Sequence, residues 1–166
     1  DYVGVMYLEY EGVKVYFIDN EYYFNGPTPY GDVKWDIEKF CYFSKAALSI
    51  LPSIGFQPDI IHCHDWQAGL VPVYLKTLFA GDLFYTSMKS VMTIHNLQFQ
   101  GKWDIKTIQE YSGLPDYVFT PDKLEVQKDA AMLKGGLVYA DKITTVSNTY
   151  AKAVSYTHLT LPTNRE

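Results

Sequence analysis

Cysteine is scarce: Cys41 and Cys63 are the two in 166 residues, placed in a helix-like and a strand-like segment with no repeating spacing. That excludes a disulfide framework of the secreted kind and predicts a reducing, cytoplasmic setting. No apolar run approaches the roughly 20 residues a membrane helix needs, and no secretory leader is expected. Basic runs are missing and the formal charge is −5, so neither a nucleic-acid backbone nor an anionic membrane is expected as main partner. There is no G-x-S-x-G elbow for a serine nucleophile. Nor is there a glycine-rich phosphate loop, since Gly135-Gly136 falls inside a helical pattern rather than at its start. Cys63 lies between two histidines, but within an apolar strand its thiol is expected to be inert. The sequence opens on Asp1 rather than methionine, just ahead of a strand-like run, so the natural amino terminus is expected upstream.

What is present describes one ordinary soluble globular domain, with 48% apolar and 20% charged residues. Aromatics reach 16%, with fifteen tyrosines. Such an excess suits a sugar-facing surface or, more blandly, tyrosine-rich packing. Val3–Tyr10 and Val13–Ile18 read as a hairpin around Glu11-Gly12. Asp19–Asp32 reads as a loop of turn formers interleaved with Tyr22, Tyr23, Phe24 and Tyr30. Asp36 is expected to cap a helix through Leu51, with Ile37, Phe40, Cys41, Ala47, Leu48 and Leu51 on one stripe.

The centre of the chain is Pro58–Trp66, PDIIHCHDW. Ile60-Ile61 runs into His62, His64, Asp65 and Trp66, and a helical composition follows through Gln67–Phe79. This predicts a parallel strand covered on both faces whose carboxyl end carries polar groups, the place where open α/β sheets bind ligands. About thirty residues on, Ser90–Ile94 repeats the layout and ends in His95-Asn96, so a βαβ unit with a site at its rim is expected. Leu97–Pro121 reads as a long loop with short helical turns. Leu124–Tyr139 reads as a helix weakened at Gly135-Gly136, where small residues fit close approach to a strand. Ile143–Val146 is a third core strand, and Ser147-Asn148 caps a helix from Thr149. The stretch Ser155–Glu166 shifts abruptly to Thr, Leu and Pro; residues 154–166 are expected to be a foreign or frame-shifted tail, leaving 1–153 as the domain.

The polar residues at the strand ends admit two chemistries. His62 and His64 share a face of a strand and, with Asp65 and His95, offer the start of a metal site for a hydrolase, provided that three or four ligands converge. Taken singly, a backbone-bonded core histidine and a histidine at a helix entrance are the ordinary fates of His62 and His64. Asp65, Asn96, Gln98, Tyr30 and Trp66 are instead the equipment of a carbohydrate site, planar polar groups for hydroxyls and aromatic faces for a pyranose ring.

Beyond residue types, DIIHCHDWQAGLVPVYL, TIHNLQFQGKW and LKGGLVYADKITTVSNTYA, with YFIDNEYYFNGPTPYGD and KFCYFSKAAL before them, resemble in order and separation the amino-terminal domain of bacterial glycogen synthases and plant starch synthases. The resemblance runs from about Val3 to Ala153. It implies an α/β fold, a Rossmann-like parallel sheet flanked by helices, forming the amino-terminal half of a glycosyltransferase with two such domains. It further implies a retaining transfer of glucose from ADP-glucose to the non-reducing end of an α-1,4-glucan, without a cofactor or metal. By the same likeness His95 is the catalytic residue, bonded to a hydroxyl of the transferred glucose, while Asp65 and Tyr30 orient the acceptor and Asn96 and Trp66 complete the wall; Gln98 is expected beside them as a substrate-binding residue. The family's K-x-G-G-L loop would precede residue 1 and its second domain would follow Ala153, so this chain alone is expected to be an inactive half-site with an exposed sheet edge and marginal stability. A metal-dependent hydrolase on His62, His64, Asp65 and His95, or a non-catalytic glucan-binding module, remain the other readings. Neither the donor nucleotide nor an oligomeric state is set by these residues.

Overall fold

In the computed structural model, residues 2–156 are described. The chain opens with β1 (Gly4–Tyr10) and β2 (Val13–Asp19), an antiparallel hairpin in which Tyr10 faces Val13. Glu11 and Gly12 both take positive φ, 50° and 78°, the tight turn whose twist matches that of the strands. The loop expected next contains one turn of helix, α1 (Glu21–Phe24), capped by the Asn20 side chain.

Helix α2 (Val33–Ser49) begins earlier than the sequence implied. Asp32 is the cap, its carboxylate accepting from the amides of Lys34 and Trp35. Asp36 instead lies buried inside the first turn. Ile37, Cys41 and Leu48 are buried as the stripe predicts, joined by Ala46 rather than Ala47.

β3 (Ile60–His64) leads through a 3-10 turn at Trp66–Ala68 into α3 (Leu70–Lys76), shorter than the expected helix, and then into β4 (Lys89–Ile94). β3 and β4 are parallel, with His64 opposite Thr93, so the βαβ unit is present. The segment expected to be a long loop holds β5 (Lys102–Asp104) and α4 (Ile105–Ser112). The expected helix from Leu124 is a hairpin in its first half: β6 (Glu125–Val126) and β7 (Asp129–Ala131) join β5 in a small antiparallel sheet of order β5-β7-β6. Only Met132–Tyr139 is helical, as α5. β8 (Lys142–Thr145) then pairs in parallel with β4, giving the main sheet the order β3-β4-β8. The last described helix, α6 (Asn148–Tyr156), starts where Ser147 accepts from the Tyr150 amide. It runs into the stretch read as a tail, of which 157–166 lie outside the described residues.

β3 and β4 are covered on one face, whereas β8, expected to be a core strand, is largely exposed, with Ile143 42% accessible. Cys63, Met92 and Ile94 join Ile37, Leu70, Val73, Tyr74, Leu133 and Leu137 in one buried cluster, so α2, α3 and α5 gather on that side. Ile60, His62 and His64, alternating with Cys63, face outward. The expectation of two covered faces therefore fails for β3, which is also an edge strand among the described residues. His62 is not a core histidine. Its Nε2 meets the Thr93 hydroxyl at 2.6 Å, and Thr93 meets Thr144 at 2.6 Å, a polar line crossing all three strands.

Candidate active site

The site is assembled where β3 and β4 end side by side. Asp65 follows β3 with φ 56° and ψ −171°, a region that glycine visits and other residues avoid. This conformation lets its amide donate to the Thr93 carbonyl at 3.0 Å while its carboxylate turns across to the next strand. There Oδ1 accepts from the His95 amide at 2.7 Å and the Asn96 amide at 3.4 Å. Asn96 in turn accepts from the Gln98 amide at 3.0 Å, and the Leu97 amide donates to the Tyr150 hydroxyl of α6 at 2.8 Å. The rim loop 95–98 is thus held by β3, by itself and by α6.

His64 Nδ1 and His95 Nε2 lie 3.0 Å apart. In such a bond one ring donates and the other accepts, so the accepting nitrogen is unprotonated. Burial, followed by the proximity of His62 and His95, pushes His64 below the ordinary histidine value, against the pull of Asp65. Among the described residues no three His, Cys, Asp or Glu side chains converge to hold a metal ion, and nothing supports the hydrolase reading. Cys63 is buried, and burial pushes its thiol up to about 12.

Beside these strand ends opens a cleft of about 1130 Å³, lined by Tyr30, Asp65, Trp66, Asn96 and Gln98 among others. Five of the six residues singled out from sequence therefore share one cavity, although they span positions 30 to 98. His95 is exposed at the same strand ends but does not line the cleft. Tyr30 is half-exposed and its hydroxyl accepts from Gln67 Nε2 at 2.9 Å. Trp66 is 93% covered, being 7% exposed, so it forms floor rather than stacking surface. Phe40 meets it edge-on at 4.9 Å between centroids, and Gly101, at φ 58°, packs so closely that a Cβ there would run into the indole.

Sequence reading missed Phe99, Glu125, Gln127 and Lys134. Phe99, 59% exposed, offers the open aromatic face that Trp66 lacks, and its place one residue beyond Gln98 was the available signal. Glu125 and Gln127 line the same cleft, hidden because their hairpin was read as helix, and Lys134 of α5 lines it too. Lys134 Nζ donates to the carbonyls of Glu125, at 2.7 Å, and Pro121. Burial lowers its pKa against the pull of Glu125 and Asp122.

A family model described as the starch synthase catalytic domain matches residues 1–160. The chain belongs to the starch synthase catalytic-domain family. Among its relatives, a glycogen synthase of Lachnospira eligens is 62% identical over 92% of this chain and 32% of its own length. One from Geobacillus stearothermophilus is 48% identical over 92% and 31%. The solved catalytic domain of starch synthase IV from Arabidopsis thaliana, bound to ADP and acarbose, superposes with a TM-score of 0.83 at 32% identity, over 92% of this chain and 32% of that one. The chain spans about a third of the length of the relatives it matches.

Proposed function

We propose that this chain forms the acceptor-side wall of a glucosyltransferase that moves glucose from ADP-glucose to the non-reducing end of an α-1,4-glucan with retention of configuration. The observation that carries the reading is the single cleft joining Tyr30, Asp65, Trp66, Asn96 and Gln98 beside His95. Support comes from relatives named glycogen synthase and from a structural neighbour bound to ADP and acarbose. The two free, buried cysteines suit a cytoplasmic setting.

In this reading the amides, hydroxyls and aromatic faces of the cleft hold the terminal glucose of the glucan. Tyr30 and Asn96 bond its hydroxyls and Phe99 covers its apolar face. His95, anchored through its amide by Asp65 and through its ring by His64, bonds a hydroxyl of the transferred glucose as positive charge develops on that ring, an electrostatic and positioning role. On the front-face route the bond from C1 to the diphosphate oxygen breaks as C1 bonds the acceptor 4-oxygen, and the acceptor's proton passes to the departing diphosphate. No protein nucleophile takes part, so orientation supplies much of the rate.

The test supplies the two thirds that the relatives carry beyond this segment. Residues 2–153 replace the matching segment of the Lachnospira eligens glycogen synthase, and transfer from ADP-glucose to glycogen is followed beside UDP-glucose. Transfer is expected, and His95→Ala is expected to lower kcat by about 100-fold or more, as for loss of one transition-state donor. A folded chimaera that transfers nothing, or one indifferent to His95→Ala, refutes the reading.

A further inference from the structure

Tyr30 sits on a stretch with no ladder of its own, Asn25–Asp32, which contains Gly26, Pro27, Pro29 and Gly31. Beneath it, one turn apart on α2, lies a buried ion pair: Lys39 Nζ is 2.8 Å from Asp36 Oδ1, and both side chains are 6% exposed. Burying two charges is costly, and a buried pair is often no better for stability than apolar residues of similar size. Stability therefore gives no reason for the pair.

Its other contacts give one. Lys39 Nζ also donates to the Pro29 carbonyl at 2.6 Å, and both oxygens of Asp36 accept from the Gly31 amide, at 3.2 and 3.1 Å. The two charges thus grip the peptide groups on either side of Tyr30. Thr28 adds a third tie, its hydroxyl donating to the Tyr30 carbonyl at 2.7 Å. With its backbone held on both sides, the Tyr30 ring lies 6.2 Å from Phe40, and its hydroxyl takes the Gln67 amide at the cleft wall.

We propose that Asp36 and Lys39 are positioning residues for the glucan, a buried two-charge clamp that fixes Tyr30 in the cleft before sugar arrives. This rests on the reading of the cleft as the glucan site. Preorganising a binding side chain reduces the ordering cost that binding would otherwise carry.

The test uses the intact chain with maltohexaose as probe, titrated by calorimetry, and hydrogen exchange of the Gly31 and Ile94 amides as a check that needs no sugar. Asp36→Leu combined with Lys39→Met removes the clamp while keeping an apolar filling, so the fold and the Ile94 protection are expected to survive. The Gly31 amide is expected to exchange faster and maltohexaose to bind about 10-fold more weakly, within the range of coupled neighbours. In a Tyr30→Ala background the same double change is expected to cost less than about 2-fold. Asp36→Asn, which keeps an acceptor for Gly31, is expected to fall between. Equal losses in both backgrounds, or no loss where Tyr30→Ala alone weakens binding, overturns the clamp and leaves the glucan reading standing. If the chain takes up no maltohexaose while Gly31 stays protected, the glucan reading itself fails and the proposal falls with it.

Discussion

Asp65 carries a positive φ that its side chain does not favour, and the hydrogen bonds it makes explain why the conformation persists. Holding a non-glycine residue in such a region costs on the order of 1–3 kcal/mol, and the two amides it secures belong to His95 and Asn96. The resemblance cast Asp65 as a partner of the acceptor sugar; the geometry adds that its carboxylate ties the end of β3 to the rim of β4. Two truncations separate strain from anchoring. Asp65→Ala keeps the strain and loses both bonds, whereas Asp65→Gly loses the bonds but relaxes the backbone. In urea unfolding the glycine variant is expected to be more stable than the alanine variant by about 1 kcal/mol, with faster exchange at the His95 amide in both. The reverse order would mean that residue 65 is unstrained.

Helices α3 and α5 touch through glycine, and this contact was half legible. Gly135-Gly136 signalled close approach, but the neighbour is the start of α3 rather than a strand. A Cβ on Gly136 would stand 2.8 Å from the Gly69 carbonyl oxygen, and one on Gly69 would run into the backbone at Met132. Replacing a helical glycine by alanine gains about 1 kcal/mol of propensity, while forcing backbones apart in a packed core costs about 1–3 kcal/mol. Gly136→Ala is therefore expected to lower the melting temperature, and a rise would show that the two helices separate freely. The hairpin Glu125–Ala131 was not legible for an equally local reason: its turn residues, Gln127 and Lys128, hold φ of 55° and 72° without being glycine or asparagine, so the usual turn signal is missing. The opposite applies to α4, whose Asp104 cap and left-handed Gly113 stop stand in the sequence and were available to be read.

Across the whole molecule, the parallel pairing of β3 with β4 followed from apolar bursts spaced by a βαβ repeat, while the place of β8 in the order did not, and five of the residues that line the cleft were legible as polar or aromatic groups suited to a sugar. Coverage did not follow, because whether a strand is buried on both faces depends on what packs over it. The open face leaves His62, His64 and Thr93 in line beside His95, and makes stability sensitive to pH. The His64 pKa is lowered in the folded chain, first by burial and then by its histidine neighbours. The folded state thus resists a proton that the unfolded chain accepts near the ordinary value of about 6.5. Above that value His64 is neutral in both states and contributes no pH dependence. As pH falls through it the unfolded chain gains the proton first, so stability declines until the folded pKa is passed and is flat beyond. Melting temperatures between pH 7.5 and 5 are expected to fall, and to fall less in His64→Gln, whose neutral amide can still bond His95. Parallel curves for the two proteins would show that the imidazole pair carries none of the acid sensitivity.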